Sequence, residues 1–145
     1  MASSSDETTP RKISAAVGRG LRLRCPKCGE GKAFRAFLKV NNHCPACGEA
    51  LYHHRADDAP PYVVITIVGH ILVGLVLVIE KNYPLDLYLQ AAIWLPLTAA
   101  LCLLLLPPVK GALIGLQWAL KMHGFDPNSP EALEPAPELK PVAGT

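Results

Sequence analysis

Residues 61–79, PYVVITIVGHILVGLVLVI, run for nineteen positions without a formal charge. At about 1.5 Å of rise per residue, a helix of that length covers roughly 28 Å, close to the hydrocarbon thickness of a bilayer. Residues 87–106, LYLQAAIWLPLTAALCLLLL, repeat the pattern over roughly 30 Å. The connecting residues EKNYPLD contain Tyr83 and Pro84 and suffice only for a tight turn, so the two helices are expected to run antiparallel. Both are apolar on every face, and a chain of 145 residues has too little other material to shield them from water. The expected fold class is a membrane α-helical hairpin of two transmembrane helices over residues 61–106.

The rest of the composition fits that centre. The chain is 50% hydrophobic and 18% charged, with a mean hydropathy of +0.25, too apolar for an ordinary soluble domain. Disorder throughout is excluded by the hydrophobicity, and a large two-domain enzyme with its own cofactor fold is excluded by length. Its 14 prolines and 11 glycines argue against one continuous coiled coil. Ten of the 14 lysines and arginines lie between Arg11 and Arg55, whereas the turn between the apolar runs holds only Lys81. Basic residues accumulate on the cytoplasmic side of membranes, so both termini are expected there. Residues 1–20, polar and then basic, and residues 126–145, rich in proline, read as disordered tails. The basic stretch leads into a cysteine motif instead of an apolar run, so no secretory signal is expected.

Residues 21–56 carry the strongest chemical pattern. Cys25-Pro26-Lys27-Cys28-Gly29 and Cys44-Pro45-Ala46-Cys47-Gly48 form C-x2-C-x15-C-x2-C, the spacing of a four-cysteine zinc site. Two intervening residues let both sulfurs of a tight turn face one tetrahedral ion, and Gly29 and Gly48 are expected to take the positive φ such turns require. Phe34, Phe37, Leu38, Val40, Leu51 and Tyr52 supply a short hairpin whose core needs a metal as a folding staple. A structural zinc ribbon is the preferred reading. An iron-sulfur cluster stays open, because sequence does not separate it from zinc. A redox dithiol lacks a thioredoxin-like scaffold, and disulfides conflict with a reducing compartment. Closed four-thiolate coordination leaves no position for a catalytic water.

Past Pro107 and Pro108, residues 109–123 are too short to span. Lys110, Gln117 and Lys121 fall on one narrow stripe, so an amphipathic interfacial helix with its lysines toward phosphates is expected. Gly111 and Gly115 form a GxxxG spacing that lets another helix approach closely. Tyr62, Tyr83, Tyr88 and Trp118 are expected near the membrane interfaces. Asp57 and Asp58, before Pro60 and Pro61, are expected to cap the first long helix. His43 reads as a loop residue, His53 and His54 as exposed polar residues at the membrane surface, and Cys102 as a packing residue. His70 stands in the middle of an apolar run, where an ionisable group is costly. Thr98, at matching depth, or the carbonyl of Ala92, freed by Pro96, is its expected hydrogen-bond partner.

The succession CPKCGEGKAFRAFLKV, CPACG, ADDAPPY, WLPLTAALCLLLLPPVKG and LQWALKMHGF resembles the bacterial membrane family catalogued as domain of unknown function 983, over residues 21–125. The resemblance implies an inner-membrane protein with two spanning helices and an N-terminal zinc ribbon. By gene association in some proteobacteria, it also implies a part in assembling haem-copper oxidases.

No catalytic or organic-cofactor site is evident, so the chain is not expected to be an enzyme. The first functional expectation is a multi-pass adaptor or assembly factor of the bacterial inner membrane, holding structural zinc through Cys25, Cys28, Cys44 and Cys47. Its partners would be the lipid bilayer and either an integral-membrane protein, such as a respiratory oxidase, or a second copy of the chain. The alternative is metal or haem handling by His70 with His53, His54 or Cys102. Nucleic-acid binding ranks last, because topology and anionic lipid already account for the basic residues.

Overall fold

The computed structural model describes residues 10–138, and both expected tails extend beyond that range into residues 1–9 and 139–145. Three α-helices carry the fold: α1 (Ile13–Leu21), α2 (Ala59–Asn82) and α3 (Leu87–Ala119). Pro60 and Pro61 start α2, where a missing N–H costs no intrahelical bond. Asp86 starts α3 by accepting a hydrogen bond from the Tyr88 amide at 3.1 Å. Only Tyr83–Asp86 separate the two helices, which forces them antiparallel. They meet along Val64, Val68 and Leu72 of α2, spaced one turn apart, against Trp94, Leu101, Cys102, Leu105, Leu106 and Val109 of α3.

The remaining faces of α2 and of α3 as far as Leu106 are largely uncovered. Ile65, Ile71, Leu77, Leu95 and Leu104 are each more than 60% exposed, a surface that water does not tolerate over this length. Both helices are long and apolar enough to cross a membrane.

The C-terminal part of α3 departs from expectation. Residues 109–123 do not form a separate interfacial helix, because α3 runs without interruption through Pro107 and Pro108 to Ala119 and only then turns into a short 3-10 segment at His123–Phe125. Nor do the expected polar residues line a free face. Lys110 is buried and pairs with Asp57 at 3.2 Å, while Gln117 Oε1 accepts from the Arg55 amide at 3.0 Å. Lys121 alone of the three is exposed.

Packing explains the difference. Residues 13–20, expected to be part of a disordered tail, instead form most of α1, and α1 lies directly on α3. A Cβ placed on Gly111 would strike the carbonyl of Gly20, and one on Gly115 would strike the carbonyl of Ala16. The GxxxG spacing is thus met by a helix of the same chain, backbone against backbone. A nine-residue helix containing two glycines is too short to persist alone in water. Its stability comes from burying Ala16 and Gly20 on α3. Ala16, Ala56, Ile114, Trp118, Ala119 and Phe125 close over this crossing as one cluster.

The end of α1 is a Schellman motif. The amide of Arg24 donates to Arg19 O at 3.0 Å and that of Leu23 to Gly20 O at 2.9 Å, and Leu23 takes the left-handed conformation usually given to glycine, φ 60°. That reversal turns the chain directly into the cysteine segment.

Substituting Gly111→Leu forces α1 off α3. Overpacking of this kind costs about 1–3 kcal/mol, so trypsin should cut after Arg19 or Arg22 about tenfold faster than in the parent chain. An unchanged cleavage rate would contradict the close crossing.

Candidate metal centre

Each Cys-Pro-x-Cys-Gly segment folds into the same turn. The amide of Gly29 donates to Cys25 O and that of Gly48 to Cys44 O, both at 2.9 Å. The two glycines have φ of 75° and 73°, the positive values expected from the sequence. Isolated antiparallel bridges Arg24 to Lys32, Phe34 to Val40 and His43 to Ala50 tie the two turns into one module. Its interior is small: Cys25, Ala33, Cys44 and Leu51 are buried, with Phe34 and Val40 packed against them.

The turns face each other. Sγ of Cys25 lies 3.8 Å from that of Cys47, and Sγ of Cys28 lies 3.7 Å from that of Cys44. All four sulfurs fall within 4.8 Å of one another. Sulfurs at about 2.3 Å from the centre of a tetrahedron stand about 3.8 Å apart. The donor set therefore fits a single metal ion more closely than a cluster, in which the thiolates are shared out among several irons.

The thiols differ in character. Burial pushes the Cys25 thiol up, with the amides of Lys27 and Cys28 offsetting only part of the effect. Burial also raises Cys28, but there the backbone around Gly31 and Glu30 outweighs it, and the thiol falls to about 7. The Glu30 amide lies 3.5 Å from Cys28 Sγ. A divalent ion would hold all four as thiolates.

Several side chains attach this module to the helices, and sequence reading had singled out few of them. Arg19 of α1 donates to the carbonyls of Pro26 at 3.1 Å and Lys27 at 2.7 Å, clamping the first turn. Glu49, next to the second turn, accepts from Lys27 Nζ and from Trp118 Nε1, both at 2.8 Å. Trp118 is consequently buried in the protein and not placed as an interfacial residue. The Arg11 guanidinium stacks 4.3 Å from its ring centroid and donates to its carbonyl. The only sequence hint was adjacency, since Glu49 follows Cys47 and Gly48.

The histidines do not join the cysteines. His43 makes an edge contact with Tyr52. His53 packs on Tyr52 and Phe125 and is not a free polar residue. His54 is half-buried, and burial, reinforced by nearby Lys110, pushes its pKa down to about 4; among the described residues its Nδ1 has no partner. Asp58 makes no side-chain cap to α2, and Asp57 serves the Lys110 ion pair instead.

His70 is exposed on α2, and its Nδ1 lies 2.7 Å from Thr66 O of its own helix. The expected partner Thr98 instead donates to Trp94 O at 2.6 Å, because it too finds a carbonyl one turn back. His70 does not converge with the other proposed ligands. His53 and His54 precede the start of α2 at Ala59, roughly 16 Å along the helix axis from His70. Cys102 packs toward Val68 and Leu72, which flank His70 by two residues and so face nearly the opposite way.

In comparison with known families, a model described as "Protein of unknown function (DUF983)" matches residues 34–118. The match includes Cys44, Cys47 and both long helices almost entire, and it leaves Cys25, Cys28 and α1 outside. No curated protein and no solved structure matches the chain.

Two outcomes are expected. Purified protein should carry one divalent metal ion per chain by elemental analysis, and Cys44→Ser should abolish it; metal content unchanged by that substitution would contradict the site. His54 refuses a proton in the folded state that the unfolded chain accepts near its ordinary value of 6.5. Stability is therefore full above that pH and falls as pH drops toward 4, by at most about 3 kcal/mol. Denaturant titrations should show this loss in the parent and not in His54→Leu. The same slope in both would refute the burial of His54.

Proposed function

The chain belongs to the family described as protein of unknown function (DUF983), and on that footing we propose that it is a membrane-anchored zinc-ribbon adaptor or assembly factor. In this reading α2 and the first part of α3 cross the bacterial inner membrane with both termini cytoplasmic. Cys25, Cys28, Cys44 and Cys47 hold structural zinc. The partner is an integral-membrane complex, and a respiratory oxidase is the candidate that the family resemblance implies. Four thiolates around one ion leave no open coordination position, which favours a folding role for the metal over a catalytic one.

The observation that carries this reading is His70. A carbonyl only accepts, so Nδ1 donates its proton to Thr66 O, and in the neutral imidazole this leaves Nε2 with a lone pair on an exposed side chain. Among the described residues no partner reaches it. In hydrocarbon an unmet polar atom is costly, and a donor from a neighbouring membrane protein would relieve that cost. A second copy in the same tautomer brings another acceptor, not a donor, so a different protein fits better.

Metal or haem handling remains the second reading, restricted to Nε2 of His70, since a ligating histidine commonly donates its other nitrogen to a carbonyl. Nucleic-acid binding finds less support: Arg11, Arg19, Arg24 and Lys27 are all occupied by contacts within the protein.

A photo-cross-linker at Ile67 or Val73, flanking His70, should trap a discrete integral-membrane protein. Intramembrane hydrogen bonds are worth about 0.6–2 kcal/mol, so His70→Leu should lower the yield roughly 3- to 30-fold. Equal yields from both chains would reject the adaptor reading at this face. Copper or haem bound by the parent and lost in His70→Leu would favour the second reading.

A further inference from the structure

We infer that the hairpin tip around Phe37, together with the end of α1 at Leu21 and Arg22, is a membrane-docking surface that rests on the anionic headgroup layer of the bilayer that α2 and α3 cross. The inference depends on the membrane reading proposed above and specifies how the cysteine module sits against that membrane.

The C-terminal turns of α3 set the scale along which both elements are placed. Beside the second cysteine turn, Glu49 bonds to Trp118. Further along the same module, the Phe34 ring lies 3.4 Å from where a Cβ on Gly111 would stand. Those two contacts are seven residues apart on α3, or about 10 Å of helix. The module therefore runs down α3 from the cysteines toward the apolar part of the helix. Phe34 pairs with Val40, and the turn between them closes with Arg35 N donating to Lys39 O at 2.9 Å. The tip lies beyond Phe34 in the chain. Continued in the same direction, it comes level with Pro107 and Leu106, where the uncharged run ends.

Helix α1 points the same way. Arg11 sits on Trp118, Ala16 on Gly115 and Gly20 on Gly111, so Leu21 and Arg22 emerge at the lower end. Both elements thus bring their free ends to the same level. What they present suits a headgroup layer: Phe37 is 55% exposed and Leu21 48%, with Arg22, Lys32 and Lys39 also exposed. An aromatic ring and a leucine enter the acyl boundary while cations stay among phosphates. Among the described residues nothing covers these apolar groups, and on the membrane reading the bilayer lies where they point.

The test uses the full, metal-loaded chain in vesicles with brominated acyl chains, with and without phosphatidylglycerol in phosphatidylcholine. Native Trp94, within the apolar part of α3, reports on the membrane reading, and F37W adds an indole at the tip. The expected result is bromine quenching and a blue shift of the added indole, stronger with phosphatidylglycerol and reduced by a second variant carrying R22E and K39E. If Trp94 is quenched while the added indole is not, and acrylamide reaches it freely, the docking surface is overturned and the spanning helices stand. If Trp94 is not quenched either, both readings fall. Equal quenching with and without phosphatidylglycerol overturns the anionic-headgroup part.

Discussion

The structure depends on a place where two helices touch without side chains between them. Gly20 meets Gly111 and Ala16 meets Gly115, close enough that a methyl group on either α3 glycine would collide with an α1 carbonyl. Backbone contact of this kind fixes both separation and register, since no side chain is there to adjust. From it follow the burial of Ala16, the closing of the cluster around Ile114 and Trp118, and the position of Arg19, which reaches the first cysteine turn from α1. Without the crossing, α1 has neither the length nor the propensity to exist.

The crossing also links the two chemically distinct halves. Helix α3 has 33 residues, roughly 50 Å of rod, and its first part is apolar enough to cross a membrane while its last turns support the cysteine module. Glu49 at Trp118, Arg55 at Gln117 and Phe34 beside Gly111 attach the module to those turns. A small metal-binding unit usually hangs from a flexible linker. Here the module is fixed to the helix that carries it by hydrogen bonds and close packing.

The features legible in the sequence were those written in local chemistry. Two uncharged runs predicted α2 and the first part of α3, and the cysteine spacing predicted four sulfurs around one point. Gly29 and Gly48 were read as positive-φ residues from their place after each turn. What was not legible depended on contacts between distant residues. Pro107 and Pro108 signal a break in isolation, yet α3 continues, its next turns held by α1, the cysteine module and Val64 of α2. Lys110 looked like a surface lysine because its partner Asp57 lies 53 residues away. The glycine pair was visible, but not the helix that answers it. The hydrogen-bond partner of His70 was missed because a carbonyl one turn back serves it better than a side chain on the facing helix.

Residues 109–119 belong to one unbroken helix, covered by α1 and carrying the cysteine module. Hydrogen exchange of the reconstituted, metal-loaded chain reads this continuity amide by amide. Amides from Val109 to Ala119 should be as strongly protected as those between Leu97 and Leu106, with no fast-exchanging step after Pro108. Rapid exchange beginning at Val109 would contradict it, and would return this segment to a separate helix lying loosely at the surface.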